Sequence, residues 1–437
     1  MTNHTPSPLS APPSGALRGV FSPPGDKSVS HRAVMFAAMA SGRSDLTGLL
    51  EGEDVLATLK AVQAMGAETE RTGDGAWRVT GAPPWRGPAQ DIDLGNSGTS
   101  ARLLAGAIAG MGVQARLTGD DSLRARPMER VAAPLRLMGA ALETTDGRLP
   151  MTIRGARLRG VDYETPVASA QIKSAVLLAG LGAEGVTRVT EPAPSRDHTE
   201  RMLPAFGGEV RVSGLTAEVT GGQRLSPANY AAPADPSSAA FALAAALITP
   251  GSRVTARGVL LNPRRAGLFE AWKRMGADLT IEVTKNDGEP VGDLIAACSD
   301  LAPIHVREDE IPAMIDEIPI LAVTAAFAEG ESRFEGLAEL RVKESDRLTA
   351  VSDLLRAAGV ETETGEDWLT VAGRGTGGVT GGGAAAARGD HRIAMSTLIL
   401  GLASRKGMAI DDASMIATSY PAFQADLAAL GAALETP

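Results

Sequence analysis

The chain has 437 residues, a formal net charge of −10 at pH 7, one cysteine and five histidines. A chain of this length exceeds what one hydrophobic core usually organises, so we predict two domains of similar size. The negative charge disfavours general nucleic-acid binding, and the few scattered cysteine and histidine residues disfavour a disulfide framework or a resident metal ion.

The N-terminal segment predicts a flexible tail. Residues 1–15 are rich in proline and serine and lack the apolar stretch of a signal peptide, so we expect the ordered chain to begin near Ala16. No apolar run elsewhere reaches the roughly 18 residues of a membrane span. Together with the single cysteine, which is typical of a reducing compartment, this predicts a soluble, cytoplasmic protein.

The first predicted helix begins with a polar turn. Lys27, Ser28 and Arg32 lead into a run of small apolar residues that stops at Gly42. A helix N-terminus carries free backbone N–H groups and the positive end of the helix dipole, so this turn is typical of an anion site. Asp26 stands where a nucleotide P-loop requires glycine, which excludes that motif. A capped surface helix with solvated charges is the alternative interpretation.

The same design recurs along the chain. Small apolar helices that begin with a polar turn, which we call the helix entry, also occur within residues 95–112, 168–185, 235–251, 316–330 and 389–407. Amphipathic helices alternate with them at residues 55–66, 129–139, 199–207, 267–276, 345–359 and 422–431. Their terminal glycines recur about every 70 residues, and short strand candidates follow most of them. We therefore predict an α/β fold of six modules, three in each domain.

Two polar stretches in the first half predict further anion contacts. Asn96, Gly98 and Thr99 leave bare backbone at a helix entry, where a phosphate or carboxylate can approach closely. Arg126 precedes a proline, which favours an extended backbone and a fixed guanidinium group. An ordinary N-cap is the alternative for the first stretch, and we interpret Arg124 as a solvated surface charge.

The third helix entry carries Ser169 and Gln171, and Arg196 stands before the next amphipathic helix. Hydroxyl, amide and guanidinium groups together suit a ligand that carries several hydroxyls and a phosphate. The alternative is that Ser169 only caps its helix. We interpret Lys173 as pointing to solvent and His31 as structural rather than catalytic.

The second half of the chain supplies carboxylates. Asp316 begins an apolar helix, where burial and the helix dipole act on its pKa in opposite directions. Residues 341–347 interleave two carboxylates with three basic groups, an arrangement that can position proton donors and acceptors around an anion. Arg392 marks another helix entry. These cationic entries form a coherent site if the helix N-termini of the two domains face each other across a cleft.

Taken in order, these motifs resemble one family. They are Pro-Gly-Asp-Lys-Ser-Val-Ser-His-Arg at 24–32, Gly-Asn-Ser-Gly-Thr at 95–99, Leu-Arg-Ala-Arg-Pro-Met at 123–128, Arg-Val-Lys-Glu-Ser-Asp-Arg at 341–347 and Asp-His-Arg-Ile-Ala-Met at 390–395. After the tail, essentially the whole chain resembles the 5-enolpyruvylshikimate-3-phosphate (EPSP) synthase family, the 3-phosphoshikimate 1-carboxyvinyltransferases.

The resemblance implies a fold and a reaction. The family has two lobes of three βαβαββ units each, with residues 16–24 and 235–437 in one lobe and residues 25–234 in the other. Family members transfer the enolpyruvyl group of phosphoenolpyruvate to the 5-hydroxyl of shikimate-3-phosphate through a tetrahedral intermediate and release phosphate. This step belongs to the shikimate pathway to chorismate and the aromatic amino acids. The resemblance implies a monomer without cofactor, metal, nucleic-acid or membrane partner.

The resemblance also implies site residues. Shikimate-3-phosphate is assigned to Lys27, Ser28, Arg32, Ser169, Gln171, Arg196, Asp316 and Lys343. Phosphoenolpyruvate is assigned to Lys27, Asn96, Gly98, Thr99, Arg126, Arg347 and Arg392. Asp316 is the candidate base for the 5-hydroxyl, Glu344 is the candidate group that gives and later removes the methyl proton, and Lys27 is a candidate to assist proton movement. The division of labour among these three stays open.

Two positions resemble the branch of the family that includes glyphosate-tolerant members. Ala170 precedes Gln171, and Thr418 stands where many relatives carry a lysine. Gly98, however, leaves room that tolerant members fill with a methyl group. We therefore expect glyphosate to inhibit by competing with phosphoenolpyruvate.

Two other functions are the alternatives. A UDP-N-acetylglucosamine enolpyruvyl transferase shares the two-lobe fold but usually carries a reactive cysteine in the loop that here spans residues 119–128. That loop has no cysteine, and Cys298 lies far from it in the chain. The other alternative, a non-catalytic anion-binding module, is disfavoured because all the proposed catalytic groups are present.

Overall fold

The structure, a computed structural model, describes residues 6–436 and divides into two compact units. The inserted unit is Gly25–Pro233, and the terminal unit comprises the described residues of Met1–Pro24 and Ala234–Pro437. Each unit is described by itself below. No helix in the described part of the chain combines the length and apolarity that crossing a bilayer requires.

The terminal unit begins with two short strands, β1 (Leu9–Ala11) and β2 (Arg18–Phe21). Strand β1 pairs antiparallel with Met408–Ile410, and its outer residues are buried in the hydrophobic core of this unit. The prediction of a flexible tail over residues 1–15 is therefore wrong for Leu9–Ala11, because alternating apolar side chains attach this segment to a sheet. The part of that prediction that concerns residues 1–5 lies outside the described residues.

The inserted unit follows with alternating helices and strands. Its helices are α1 (Lys27–Met39), α2 (Glu53–Ala64), α3 (Gly98–Gly110), α4 (Asp121–Ala125), α5 (Glu129–Leu137), α6 (Ala170–Leu181) and α7 (His198–Met202), with a 3-10 helix at Leu203–Phe206. Its strands are β3 (Gly42–Thr47), β4 (Glu68–Gly73), β5 (Ala76–Gly81), β6 (Ile92–Asp93), β7 (Ala115–Thr118), β8 (Ala141–Thr145), β9 (Arg148–Arg154), β10 (Asp162–Glu164), β11 (Val186–Thr190), β12 (Arg211–Ser213), β13 (Thr216–Thr220) and β14 (Asn229–Ala231).

The rest of the terminal unit has the same composition. Its helices are α8 (Pro236–Ile248), α9 (Gly267–Arg274), α10 (Ile318–Ala326), α11 (Arg347–Ala357), α12 (His391–Ala403) and α13 (Phe423–Ala429), with 3-10 helices at Glu308–Ala313, Ile315–Glu317, Ala338–Val342 and Ser414–Thr418. Its further strands are β15 (Arg253–Leu260), β16 (Asp278–Lys285), β17 (Val291–Ala297), β18 (His305–Val306), β19 (Glu329–Phe334), β20 (Thr362–Thr364), β21 (Leu369–Arg374), β22 (Ala384–Ala385) and β23 (Met408–Ile410).

Five sheets share one strand order, in which a parallel pair is extended by an antiparallel hairpin. They are β14-β3-β5-β4, β6-β7-β9-β8, β10-β11-β13-β12, β2-β15-β17-β16 and β18-β19-β21-β20, and a sixth sheet has the order β1-β23-β22. In two of these sheets, the outer strand of the parallel pair is far in sequence from its partner. Strand β2 stands directly before α1 but pairs with β15, whereas β14 stands directly before α8 but pairs with β3.

The helices fall into the two predicted classes. Every residue of α8 is buried, as expected for a helix of small apolar side chains, whereas α9 buries one face and exposes Lys273 and Arg274. Helices α3 and α6 approach closely at Gly106, where a Cβ atom would lie only 2.0 Å from the carbonyl oxygen of Ala175. This contact fixes the relative position of two polar helix entries.

Candidate active site

The first turn of α1 carries the predicted residues Lys27 and Ser28. Asp26 caps the helix by accepting a hydrogen bond from the Val29 N–H at 2.8 Å. The ammonium group of Lys27 lies 3.1 Å from Asp54 Oδ2, and its side chain is 26% exposed. Ser28 is half-buried beside it.

Arg32, one turn further along α1, is buried. Its Nε and Nη2 donate to Thr199 Oγ1 at 2.8 Å and to Ser174 Oγ at 2.7 Å, and its Nη1 donates to the Ser28 carbonyl oxygen at 2.9 Å. These contacts join α1 to α6 and α7, the helices preceded by Ser169 and Arg196. The buried guanidinium is thereby held in one orientation.

A chain of buried hydroxyl groups starts at His31. Its Nδ1 lies 2.7 Å from Thr58 Oγ1, which lies 2.7 Å from Ser100 Oγ, which in turn lies 2.6 Å from Ser97 Oγ. Burial lowers the pKa of His31 to about 3, and the nearby Asp54 carboxylate offsets this only in part. The neutral imidazole thus links the entries of α1, α2 and α3.

We expect His31 to stay uncharged between pH 4 and pH 8. Its pKa in the folded protein lies below the ordinary value of 6.5, so between pH 6.5 and about pH 3 the unfolded chain binds more protons than the folded one. The contribution of His31 to the free energy of unfolding therefore falls as the pH drops through that range. Proton NMR of the histidine rings, assigned with His31→Gln, checks this. A His31 signal that titrates near pH 6 would contradict the prediction.

The entry of α3 brings two predicted residues, Asn96 and Gly98, to the guanidinium group of a third, Arg126. Arg126 has the extended backbone predicted for a residue before proline, with φ −77° and ψ 142°. It donates to Asn96 Oδ1, and the Asn96 amide nitrogen donates to Asp120 Oδ2 at 3.0 Å. A Cβ atom at Gly98 would lie 3.2 Å from Arg126 Nη1, so the bare backbone of Gly98 faces this cation closely.

Arg102 completes this cluster, and the sequence analysis missed it. Its Nη1 donates to Gln171 Oε1 at 2.7 Å and its Nη2 to the Pro127 carbonyl oxygen at 3.2 Å, while the Gln171 amide donates to Thr99 Oγ1 at 3.2 Å. Burial, with the neighbouring Arg130 and Arg126 charges, lowers the pKa of Arg102 to about 10. An arginine within the first two turns of a helix of small residues was the available signal.

Ser169 caps α6, and its hydroxyl oxygen accepts from the Ile172 N–H at 3.4 Å. Arg196 is half-buried in the segment before α7. The interpretation of Lys173 as a solvent-facing side chain is wrong. Its side chain is 2% exposed because α6 is buried on all sides there, and its ammonium group lies 2.7 Å from Glu191 Oε2 and 2.8 Å from Glu200 Oε1.

In the terminal unit, Arg347 joins three carboxylates. It begins α11 and is 1% exposed, and its guanidinium lies 2.7 Å from Asp390 Oδ2, 3.2 Å from Asp316 Oδ1 and 2.5 Å from Glu344 Oε2. Burial alone would lower the pKa of Arg347, but Glu344, Asp390 and Asp316 outweigh it and raise the pKa. Burial alone would raise the pKa of Asp390, but the Arg347 charge outweighs it and keeps the pKa of that carboxyl below its ordinary value.

The remaining predicted residues of this unit surround Asp316. Lys343 Nζ lies 3.5 Å from Asp316 Oδ1, and Arg392 Nη1 donates to the Asp316 carbonyl oxygen at 2.9 Å. Arg392 also lies 3.5 Å from Glu317 Oε1, which in turn lies 3.2 Å from the buried Arg265. The structure therefore places Asp316, Lys343, Glu344 and Arg347 in one ionic network, to which Arg392 is joined by its hydrogen bond to the Asp316 backbone. Within the described residues, no group of three or more histidine, cysteine, aspartate or glutamate side chains is arranged to hold a metal ion.

Comparison with known proteins identifies the family. A family model described as EPSP synthase (3-phosphoshikimate 1-carboxyvinyltransferase) matches residues 12–427. A 3-phosphoshikimate 1-carboxyvinyltransferase of Parvibaculum lavamentivorans is 51% identical over 441 residues, which cover 99% of this chain and 98% of that protein. The chain belongs to the EPSP synthase family. Another relative of the same name, from Caulobacter vibrioides, is 51% identical over 436 residues and 98% of both chains.

The fold of the family is also matched. The solved structure of an EPSP synthase from Acinetobacter baumannii superposes with a TM-score of 0.91 at 44% identity and covers 99% of both chains. The predictions of the family, of the two-domain α/β fold and of 3-phosphoshikimate 1-carboxyvinyltransferase activity are therefore confirmed. The predicted site residues stay a prediction, as does membership of the branch with glyphosate-tolerant members.

Proposed function

We propose that this EPSP synthase joins the enolpyruvyl group of phosphoenolpyruvate to the 5-hydroxyl of shikimate-3-phosphate through the predicted site residues. For shikimate-3-phosphate we propose Lys27, Ser28, Arg32, Ser169, Gln171, Arg196, Asp316 and Lys343. For phosphoenolpyruvate we propose Lys27, Asn96, Gly98, Thr99, Arg126, Arg347 and Arg392. Both substrates are polyanions, so lysine and arginine side chains fixed by internal contacts screen their charges at low reorganisation cost.

The observation that carries the proposal is the position of Arg347. One buried guanidinium contacts both Asp316 and Glu344, the two candidate proton-transfer groups, at 3.2 and 2.5 Å. Such a cation fixes the two carboxyl groups relative to each other and to any anion that it binds. A solvated surface cluster would not require an arginine that is 1% exposed.

The proposed reaction proceeds in two steps. In the addition, the 5-hydroxyl oxygen bonds to C2 of phosphoenolpyruvate, Asp316 takes the hydroxyl proton, and the carboxylic acid of Glu344 gives a proton to C3 to form the methyl group. In the elimination, Glu344 removes a methyl proton, the C2–C3 double bond returns, and the C2–O bond to phosphate breaks. Phosphate leaves with that electron pair and receives the proton held by Asp316, with Lys27 assisting. The enzyme ends in its starting protonation state.

Phosphate release tests the proposal. We expect release from phosphoenolpyruvate only when shikimate-3-phosphate is present, with no loss in chelator, and no release with UDP-N-acetylglucosamine as acceptor. Release without shikimate-3-phosphate, or release that depends on the UDP-sugar, would contradict the proposed acceptor.

We propose that glyphosate competes with phosphoenolpyruvate at Gly98, although Ala170 and Thr418 resemble the branch with tolerant members. In Gly98→Ala, the new methyl group would lie 3.2 Å from Arg126 Nη1 and 3.4 Å from Arg102 Nη1, so the Arg126 guanidinium would shift slightly and the pocket beside Gly98 would narrow. We expect the glyphosate inhibition constant to rise about tenfold or more and the KM of phosphoenolpyruvate to rise less. The KM of shikimate-3-phosphate is the internal control. An unchanged inhibition constant would contradict the proposal.

We further propose that the enzyme acts as a cytoplasmic monomer on these small molecules, without nucleic-acid or membrane partners. The net charge of −10 and the single cysteine support this. Light scattering coupled to size-exclusion chromatography tests the monomer; a mass of twice 44.9 kDa would overturn it.

A further inference from the structure

A buried charge cluster of the inserted unit has no part in the proposed chemistry. Lys173 on α6 contacts Glu191, which follows β11, and Glu200 on α7, and the three side chains are 2%, 2% and 5% exposed. Burying three charged groups is costly, and one ammonium group opposes two carboxylates. The arrangement therefore needs a reason beyond packing.

Glu191 links this cluster to the entry of α6. Its Oε2 lies 2.7 Å from Lys173 Nζ, while its Oε1 accepts a hydrogen bond from the Ser169 N–H at 3.0 Å. A carboxylate that is fixed at one oxygen by a buried cation holds its other oxygen in place as well. The backbone of Ser169, which directly precedes Ala170 and Gln171, is thereby tied to the protein interior.

The same ammonium group holds both ends of the segment that carries Arg196. Glu191 stands directly before residues 192–197, and Glu200 lies in α7 just after them. Next to these contacts in sequence, Ser174 and Thr199 accept the hydrogen bonds of Arg32. Two groups proposed for shikimate-3-phosphate, Ser169 and Arg196, thus lie on backbone that the cluster fixes, and a third, Arg32 on α1, donates to hydroxyl groups of that backbone.

We propose that Lys173 and Glu191 are positioning residues for shikimate-3-phosphate, which they serve by holding the entry of α6 and the segment that carries Arg196. The inference rests on the proposed function, because it takes the ligand from there. Lys173 and Glu191 themselves do not touch the substrate. Their effect is on the binding of one substrate, because none of the residues proposed for phosphoenolpyruvate lies on the backbone that the cluster fixes.

Glu200 offers a matched control. It contacts the same ammonium group and is nearly as buried as Glu191, but its Oε2 has no hydrogen-bond partner among the described residues. Glu200→Gln therefore leaves one ammonium and one carboxylate, its amide oxygen can still accept from Lys173 in place of Oε1, and the bond to Ser169 is untouched. In Glu191→Gln, by contrast, an NH₂ group replaces one of the two carboxylate oxygens. That NH₂ group then faces either the Lys173 ammonium or the Ser169 N–H, which are both hydrogen-bond donors, so one of the two contacts is lost.

The test measures the dissociation constant of shikimate-3-phosphate by calorimetry and the KM of both substrates in the full-length enzyme. For Glu191→Gln we expect the dissociation constant and the KM of shikimate-3-phosphate to rise about tenfold, with the KM of phosphoenolpyruvate within about twofold of the wild type. For Glu200→Gln we expect all three constants within about twofold of the wild type. Equal changes in the two variants, or equal changes for the two substrates, would overturn the proposal.

A third variant tests the proposal in case Glu191→Gln does not fold. Replacing all three charges by apolar residues of similar volume (Lys173→Met, Glu191→Leu and Glu200→Leu together) removes the desolvation penalty along with the bond to Ser169. We expect it to fold and to bind shikimate-3-phosphate about tenfold more weakly. Wild-type affinity in this variant would overturn the proposal. Wild-type enzyme that fails to bind shikimate-3-phosphate would instead contradict the proposed function itself.

Discussion

Replacing Arg347 by methionine is expected to lower the free energy of unfolding of the terminal unit by about 3–5 kcal/mol. The guanidinium group lies among Asp316, Glu344 and Asp390, and Asp390 is fully buried. Without the cation, these carboxylates repel one another and lose their main hydrogen-bond donor. Hydrogen exchange of the amides in α11 and α12 measures the change in this unit by itself.

Arg374→Met is the matched control for this prediction. Arg374 also pairs with a carboxylate, Glu361, at 2.9 Å, but its side chain is 43% exposed. Exposed ion pairs contribute about 0–1 kcal/mol, so this variant is expected to behave almost as the wild type. Equal losses of protection in the two variants would mean that the buried network does not hold the entries of α11 and α12.

Glu344→Gln is expected to lower kcat by about 10²–10⁴-fold, the range for loss of a positioned acid or base. The amide oxygen can still accept the hydrogen bond that Glu344 Oε2 receives from Arg347 Nη2 at 2.5 Å, so the local geometry is retained. Both KM values should therefore change only a few-fold. Steady-state phosphate release measures kcat, and deuterium incorporation at C3 in heavy water reports the proton transfer directly.

Glu339→Gln serves as its control. Glu339 is exposed on the 3-10 helix that precedes the Arg347 cluster, and the same substitution there should leave kcat unchanged. Retention of most of the wild-type kcat and of C3 deuterium incorporation in Glu344→Gln would rule out Glu344 as the proton donor. Asp316 or Lys27 would then carry that role.

Residues close together in the sequence were the most predictable. Helix entries at Lys27, Gly98, Ser169 and Arg392 followed from polar residues before small apolar runs, and the extended backbone of Arg126 followed from Pro127. Each of these depends on neighbours in the chain, which the sequence displays directly.

Contacts between distant segments were not predictable in this way. The pairing of Lys173 with Glu191 and Glu200 depends on how α6, β11 and α7 pack, and Arg102 finds Gln171 only because α3 and α6 touch. The burial of Lys173 was nevertheless foreseeable. A lysine within a helix that is apolar on all faces must be buried and paired. The strand at Leu9–Ala11 was missed for a different reason, because the proline and serine residues around it are typical of a flexible tail.

The pairing of β2 with β15 and of β14 with β3 affects the order in which the two units fold on the ribosome. The inserted unit has all its strands, from β3 to β14, within one continuous stretch, so it can complete its sheets as soon as that stretch has emerged. Strand β2 is synthesised before the whole inserted unit, yet its partner, β15, begins only at Arg253. The N-terminal segment therefore has to wait without a partner while more than half of the polypeptide is made, and the terminal unit closes last.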